Sequence, residues 1–336
     1  MRGIDSSRTD AKHTSGRRAW RRAHGAARTT PNVVGVSVAR NEMSRDGRSE
    51  ESDSRLRRRL NRRIRDAVGL TQDPPPRCED PQLSYMPVDG VARLVHGDLS
   101  TMIIGGLGSL FLQMLHPHAM AGVAQHSRYQ NDALGRLLQT ANFIGHTTYG
   151  TSTQAYLDIE RVLAVHEAVR GVADDGAPYY ANDPHLLAWV HACEASMFLA
   201  AYQRYGRVAL SDADADTYVA EMSRLARDLG AEDPPSTVRQ LWAQIDGFGP
   251  ELRLSADGEE ARSFVADGFV QGTMQKLAHR LFVQASYDLM PDWARTQLGV
   301  SPSRRWRAHL LRPATRLLCA FVRRFVPPTE RVPVGV

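Results

Sequence analysis

Between Thr101 and Leu115 the chain reads TMIIGGLGSLFLQML, without one charged side chain. A run this apolar has to be buried. It falls short of the ~18 apolar residues of a membrane-crossing helix, and Gly105, Gly106, Gly108 and Gln113 interrupt it. It therefore predicts the central helix of a helical domain, capped by Asp98 or Ser100. Glycine costs a helix ~1 kcal/mol against alanine, so three within one turn imply a close approach. Either a neighbouring helix or a flat ligand would satisfy that.

The rest of the chain follows helical spacing. Arg136 and Thr140 share a face of a helix over 132–148. Tyr156, Ile159, Leu163 and His166 form the stripe of a helix over 153–170, with Gly171 as its stop. Asp183-Pro184 is a cap followed by a first-turn proline and opens a helix over 184–205. Its inward face includes Leu187, Val190, His191, Glu194, Met197 and Ala201. Asp212 or Asp214 starts a further helix, which Gly230 ends. More helices are expected over 236–246, 259–268 and 270–288. The His116-Pro117-His118 segment suits a loop, and extended chain is expected only near 177–181. The fold class is all-α, a single large helical domain over 77–300.

Both ends differ from this body. Residues 1–65 hold 18 Lys+Arg against 7 Asp+Glu; the whole chain holds 42 against 37, which leaves 24 against 30 for the remainder. Basicity is thus a property of a tail, and the acidic body gives no reason to expect nucleic-acid binding. Residues 1–54 are polar and are expected to be disordered, with Met43 an alternative start. Residues 55–76 read as a basic helix followed by a Pro-rich linker. Residues 301–336 form a second basic, amphipathic segment. In it Leu310, Ala314, Leu317, Leu318, Phe321 and Phe325 make a stripe among arginines, with Pro313 as an interruption. Packing on the body competes there with peripheral membrane contact. Cys78, Cys193 and Cys319 are odd in number and far apart, which suits a reducing, cytoplasmic setting.

Nucleotide-binding and hydrolase motifs are missing: there is no GxGxxG, Walker loop, GxSxG or HExxH. What remains is His166 on an apolar stripe, after a helix that carries an Arg and a Thr one turn apart. A histidine on such a face is ordinarily a hydrogen-bonded core residue. It is also what haem requires, because neutral imidazole ligates iron within an apolar wall. An Arg and a hydroxyl facing the iron suit dioxygen or a developing oxyanion.

A set of segments resembles the MpaB-type oxygenase family, which includes the bacterial latex-clearing proteins (rubber oxygenases). These are Gly105-Gly106, Gln113 to Pro117, Ala121-Gly122-Val123, His126-Ser127, Arg136-Leu-Leu-Gln-Thr140, Val162, His166 to Gly171 and Asp183 to His191. The resemblance spans about residues 85–300. It implies an all-helical fold holding haem b on one histidine, and cleavage of prenyl-chain double bonds by dioxygen. Carried onto this sequence, His166 is the proximal ligand and Arg136 and Thr140 are the distal pair. Latex-clearing proteins have a lysine immediately before that threonine; here it is Gln139, a poor iron ligand.

The expectation is a haem oxygenase acting with dioxygen on a hydrophobic, prenyl-like small molecule. His166 would anchor the iron, with His191, beside Glu194, as the second candidate. Gly105, Gly106 and Gly108 would wall the haem or substrate. Two alternatives stand beside it. One is a non-catalytic haem-binding or membrane-surface protein. The other is a non-haem metal enzyme using His116, His118, His126 and His191.

Overall fold

The apolar run becomes α2 (Leu99–Gln113), whose N-cap Asp98 accepts a hydrogen bond from the Ser100 backbone N–H. The computed structural model describes residues 77–127, 130, 132–268, 272–300 and 305–328. The expected tail and basic helix before residue 77 lie outside them. Ahead of α2 comes α1 (Val91–His96), and after it α3 (Pro117–His126), α4 (Ala133–Tyr149) and α5 (Ser152–Ala168). A short antiparallel pair follows, β1 (Arg170–Val172) with β2 (Pro178–Tyr180), Gly171 facing Tyr179. Then come α6 (Pro184–Tyr205), α7 (Asp212–Leu229), α8 (Val238–Gly247) and a 3-10 turn at Gly249–Glu251. The series ends with α9 (Ala256–Asp267), α10 (Thr273–Leu289), α11 (Asp292–Gln297) and α12 (Arg305–Phe325). The fold is all-α, as the periodicity predicts.

The axis of this body is the contact between α2 and α6. A Cβ on Gly105 would stand 2.8 Å from the Phe198 Cα and 2.9 Å from the Met197 carbonyl oxygen. One on Gly108 would stand 3.0 Å from the Met197 sulfur. Gly105 lets the helices touch backbone to backbone, and Gly108 leaves room for the Met197 side chain. Other helices pack around the pair: α10 and α12 on α2, α7 and α8 on α6, and α1 between α2 and α7. Trp189, Met197, Ile104, Phe111 and Leu112 are fully enclosed.

Several boundaries fall where the capping chemistry places them. Asp183 caps α6 and accepts from the His185 N–H, with Pro184 in the first turn. Gly230 ends α7 at φ 93°, a left-handed conformation natural to glycine. The cap of α7 is Ser211, in a reciprocal box with Asp214, rather than either expected aspartate.

Three expectations need correction. Pro117 does not mark a loop; it opens α3, where its missing N–H costs nothing. Gly171 does not stop α5, which ends at Ala168; it lies in β1, where a Cβ would come within 2.5 Å of the Gln125 amide oxygen and 2.7 Å of the Tyr179 hydroxyl. Pro313 does not interrupt α12. It sits on an exposed face, where water can satisfy the carbonyl left without its donor.

Among the described residues no single helix is long and apolar enough to cross a membrane; α2 and α3 reach that measure only together, across a bend of 104°.

The glycines make a testable contrast. Gly105→Ala should destabilise the protein by ~1–3 kcal/mol through overpacking against α6. In Gly106→Ala the nearest atom is the Phe198 ring at 3.8 Å, so stability should be unchanged or higher by up to ~1 kcal/mol. Denaturant titrations of the two variants decide it; equal losses would mean the α2–α6 contact is not where the structure puts it.

Candidate active site

Helices α4 and α5 form a hairpin held by one carboxylate. Asp158 is only 8% exposed. It accepts hydrogen bonds from His146 Nδ1 at 2.5 Å, Arg161 Nη1 at 2.5 Å and Gln154 Nε2 at 3.1 Å. The partners from its own helix satisfy the charge locally, and His146 ties it to α4. The hairpin is fastened to the body by His96 in α1. Its Nδ1 meets the Thr148 hydroxyl of α4 at 2.8 Å, and its Nε2 meets the Tyr218 hydroxyl of α7 at 3.1 Å. Burial pushes the pKa of His96 down to about 3, so the ring is neutral, with one nitrogen donating and the other accepting.

From the His146–Asp158 bond, Arg136 lies ten residues back along α4 and His166 eight residues on along α5. Arg136 is in the first turn of α4 and His166 in the last turn of α5, so both stand at the end of the hairpin remote from its Gly150-Thr151 connection. The neighbouring contacts agree. Arg136 Nη1 donates to Ser127 Oγ at 2.6 Å, while His126 beside it meets the Arg170 carbonyl at 3.1 Å. The end of α3 thus joins the start of α4 to the chain leaving α5.

Asp132 caps α4 and accepts from the Gly135 N–H at 2.9 Å. That fixes the first turn, in which Arg136 sits. Arg136 is exposed as a whole residue, yet protein crowding its guanidinium lowers its pKa by desolvation. Thr140 Oγ1 donates to the Arg136 carbonyl at 3.1 Å, so its proton is bound to the helix backbone. Gln139, between them, is exposed.

His166 differs from the other histidines of the hairpin. Its ring is half-buried, its Nδ1 is enclosed with no hydrogen-bond partner, and burial lowers its pKa. It is therefore a neutral imidazole whose enclosed nitrogen no protein group satisfies. Buried polar atoms are ordinarily paired, so this ring is free to act as a ligand, a state that the enclosed ring nitrogens of His116 share.

The remaining predicted residues are placed otherwise. His191 is buried in α6 at 5% exposure, and burial pushes its pKa down to about 4. Glu194, one turn on, is pushed up by burial to about 7. Gly105 and Gly108 do not present an open wall, because α6 fills the space beside them. Gly106 keeps room toward the Phe198 ring. His116 caps α3 with its ring enclosed, 3.5 Å from Glu251, and His118 lies 3.5 Å from Asp175. Among the described residues no three His, Cys, Asp or Glu side chains are gathered to hold a metal ion. A haem needs no such cluster, since a single imidazole anchors it.

Sequence reasoning missed Asp158 and His146, and gave Ser127 no role beside Arg136. The signal was a charged residue beside Ala155 and Ile159 on the buried face of α5, where a carboxylate needs donors.

Asp158→Ala should cost ~2 kcal/mol by leaving His146 unpaired. Asp158→Ala combined with His146→Ala should cost little more, because the two act as one unit. Thermal or denaturant unfolding measures this; strictly additive losses would show that the clamp is not a coupled pair.

A search of curated proteins and of solved structures finds no match. The family model described as ER-bound oxygenase mpaB/B'/rubber oxygenase, catalytic domain, matches residues 93–324. That span covers more than half of the chain, from α1 into the last turn of α12. It includes both helices of the hairpin and the α2–α6 axis. This all-helical chain therefore belongs to the mpaB/rubber oxygenase catalytic-domain family.

Proposed function

We propose that this oxygenase-family protein is haem-dependent and acts with dioxygen on a hydrophobic, prenyl-like small molecule. The observation that carries the reading is the partnerless, neutral ring of His166 at the same end of the hairpin as Arg136. Haem b, when bound, supplies redox-active iron for dioxygen chemistry. The protein supplies the rest.

His166 offers an uncharged imidazole without competing hydrogen bonds, the state in which the ring ligates a metal. Arg136 stays charged even with a lowered pKa, because guanidinium loses its proton only far above neutrality. Ser127 takes one of its five donors and sets its direction. The remaining donors can stabilise negative charge developing on dioxygen during its reduction. Thr140 would have to release the Arg136 carbonyl before donating elsewhere, so its contribution should be the smaller. Gln139 is neutral and exposed, and does not compete for the iron.

Exposed apolar side chains stand beside these residues. Leu137, next to Arg136, is 38% exposed, and Val165, next to His166, is 60% exposed. Exposed apolar side chains flanking polar chemistry suit a hydrophobic substrate better than a sugar or a phosphate.

Arg136→Ala and Thr140→Ala test the assignment. Neither residue is an iron ligand in this reading, so both variants should keep haem at wild-type stoichiometry. Oxygen uptake with a prenyl substrate should fall by ~2–4 kcal/mol equivalent in rate for Arg136→Ala. For Thr140→Ala it should fall by ~1 kcal/mol. Joint loss of haem and stability in both would make the pair a structural contact. Purified protein with iron but no porphyrin would overturn the haem reading.

A further inference from the structure

The apolar stripe of α12 points away from the body. Thr315, Cys319 and Val322 are the buried side, at 0%, 0% and 5% exposure, and they pack this helix onto the rest of the protein. Leu310, Leu317 and Phe321 are on the other side, at 67%, 73% and 58% exposure. Their spacing of seven and four residues forms one line, and Phe325 extends it, its ring 4.9 Å from that of Phe321.

The charges on the helix fall into two groups. Arg312 pairs with the enclosed Asp288 at 2.8 Å, and Arg323 with the buried Asp98 at 2.6 Å. Arg323 also donates to the Tyr205 carbonyl. These bonds hold α12 to α10, to the cap of α2 and to the end of α6, and so fix which face looks outward. Arg316 and Arg324 are exposed, and neither makes an ion pair among the described residues. At ~100° per residue, Arg324 projects beside Leu317 within the apolar stripe, while Arg316 lies on the flank that carries Arg312 and Arg323. The helix contains no Asp or Glu.

We propose that this face of α12 docks on the surface of an anionic phospholipid bilayer. Leucines and phenylalanines at the acyl boundary, with arginines reaching the phosphates, are the chemistry of an interfacial helix. Charge selects this occupant over the others. The segment 55–70 carries seven arginines against Asp66 and would be repelled. A second copy would bring a like-charged, arginine-bearing face against this one. The inference stands apart from the haem reading, since it concerns a different surface and is read without turnover.

The test is co-sedimentation of the full chain with vesicles. Phosphatidylglycerol-containing vesicles should carry the protein down, pure phosphatidylcholine should not, and high salt should weaken the association. Leu317→Glu with Phe321→Glu, and separately Arg316→Glu with Arg324→Glu, should each weaken binding at least about tenfold. Melting temperature and sedimentation mass should be unchanged, since these side chains are exposed. If the leucine–phenylalanine pair fails to fold, the arginine pair carries the test alone. Three results would overturn the proposal. The protein could ignore anionic vesicles. Both double variants could bind like wild type, which would assign any binding to the basic segment 55–70. Or the variants could split an oligomer while leaving vesicle binding intact, which would make a second copy the occupant.

Discussion

The rest of the structure depends on how closely α2 approaches α6. At Gly105 the two backbones meet with no space for a methyl group, and α1, α7, α8, α10 and α12 pack on that pair. Three bonds secure its upper end. Asp98 caps α2, takes the Ser100 hydroxyl at 2.6 Å and receives Arg323 from α12 at 2.6 Å. A charge buried to 1% exposure needs this many partners. The cap of the central helix and the seat of the last helix are therefore one network. This is why α12, although strongly basic, belongs to the body and lies within the family match.

The candidate site is built differently. It stands on a hairpin whose own strength comes from polar contacts: the Asp158 clamp within it and the His96 ring beneath it. Its outer faces are only half-covered, with Leu137, Leu157 and Val165 exposed. The hairpin is thus held by polar contacts and presents a partly apolar surface.

Much of this was legible in the sequence, for local physical reasons. Asp98, Asp183-Pro184 and Gly230 mark helix ends because caps and left-handed glycines act within one turn. Of the stripe through Tyr156, Ile159, Leu163 and His166, the last three are buried or half-buried, while Tyr156 is 39% exposed. The failures come from contacts that sequence spacing does not carry. The glycines of α2 serve a neighbouring helix 90 residues away, although a flat ligand would have asked for the same residues. Gly171 answers to Tyr179 and Gln125 rather than to a helix end. In α12 the richest apolar stripe is the outward one, because ion pairs to Asp98 and Asp288 turn the plainer face of Thr315, Cys319 and Val322 inward. His166 and His191 look alike by pattern. Burial separates them: His191 is enclosed in α6 at 5% exposure, whereas His166 is half-buried in the last turn of α5, near the contacts that hold Arg136.

The central claim is that the His166 imidazole is what holds the cofactor. The direct measurement is haem binding by His166→Gly, followed by Soret absorbance, with and without free imidazole. The glycine opens a space of the ring's own shape, so imidazole can stand in for the missing side chain. The account predicts weak haem binding in the variant alone and recovery of a histidine-type spectrum on adding imidazole, with His191→Gly giving neither loss nor rescue. Full haem occupancy in His166→Gly without imidazole, or a rescue seen only at position 191, would contradict it.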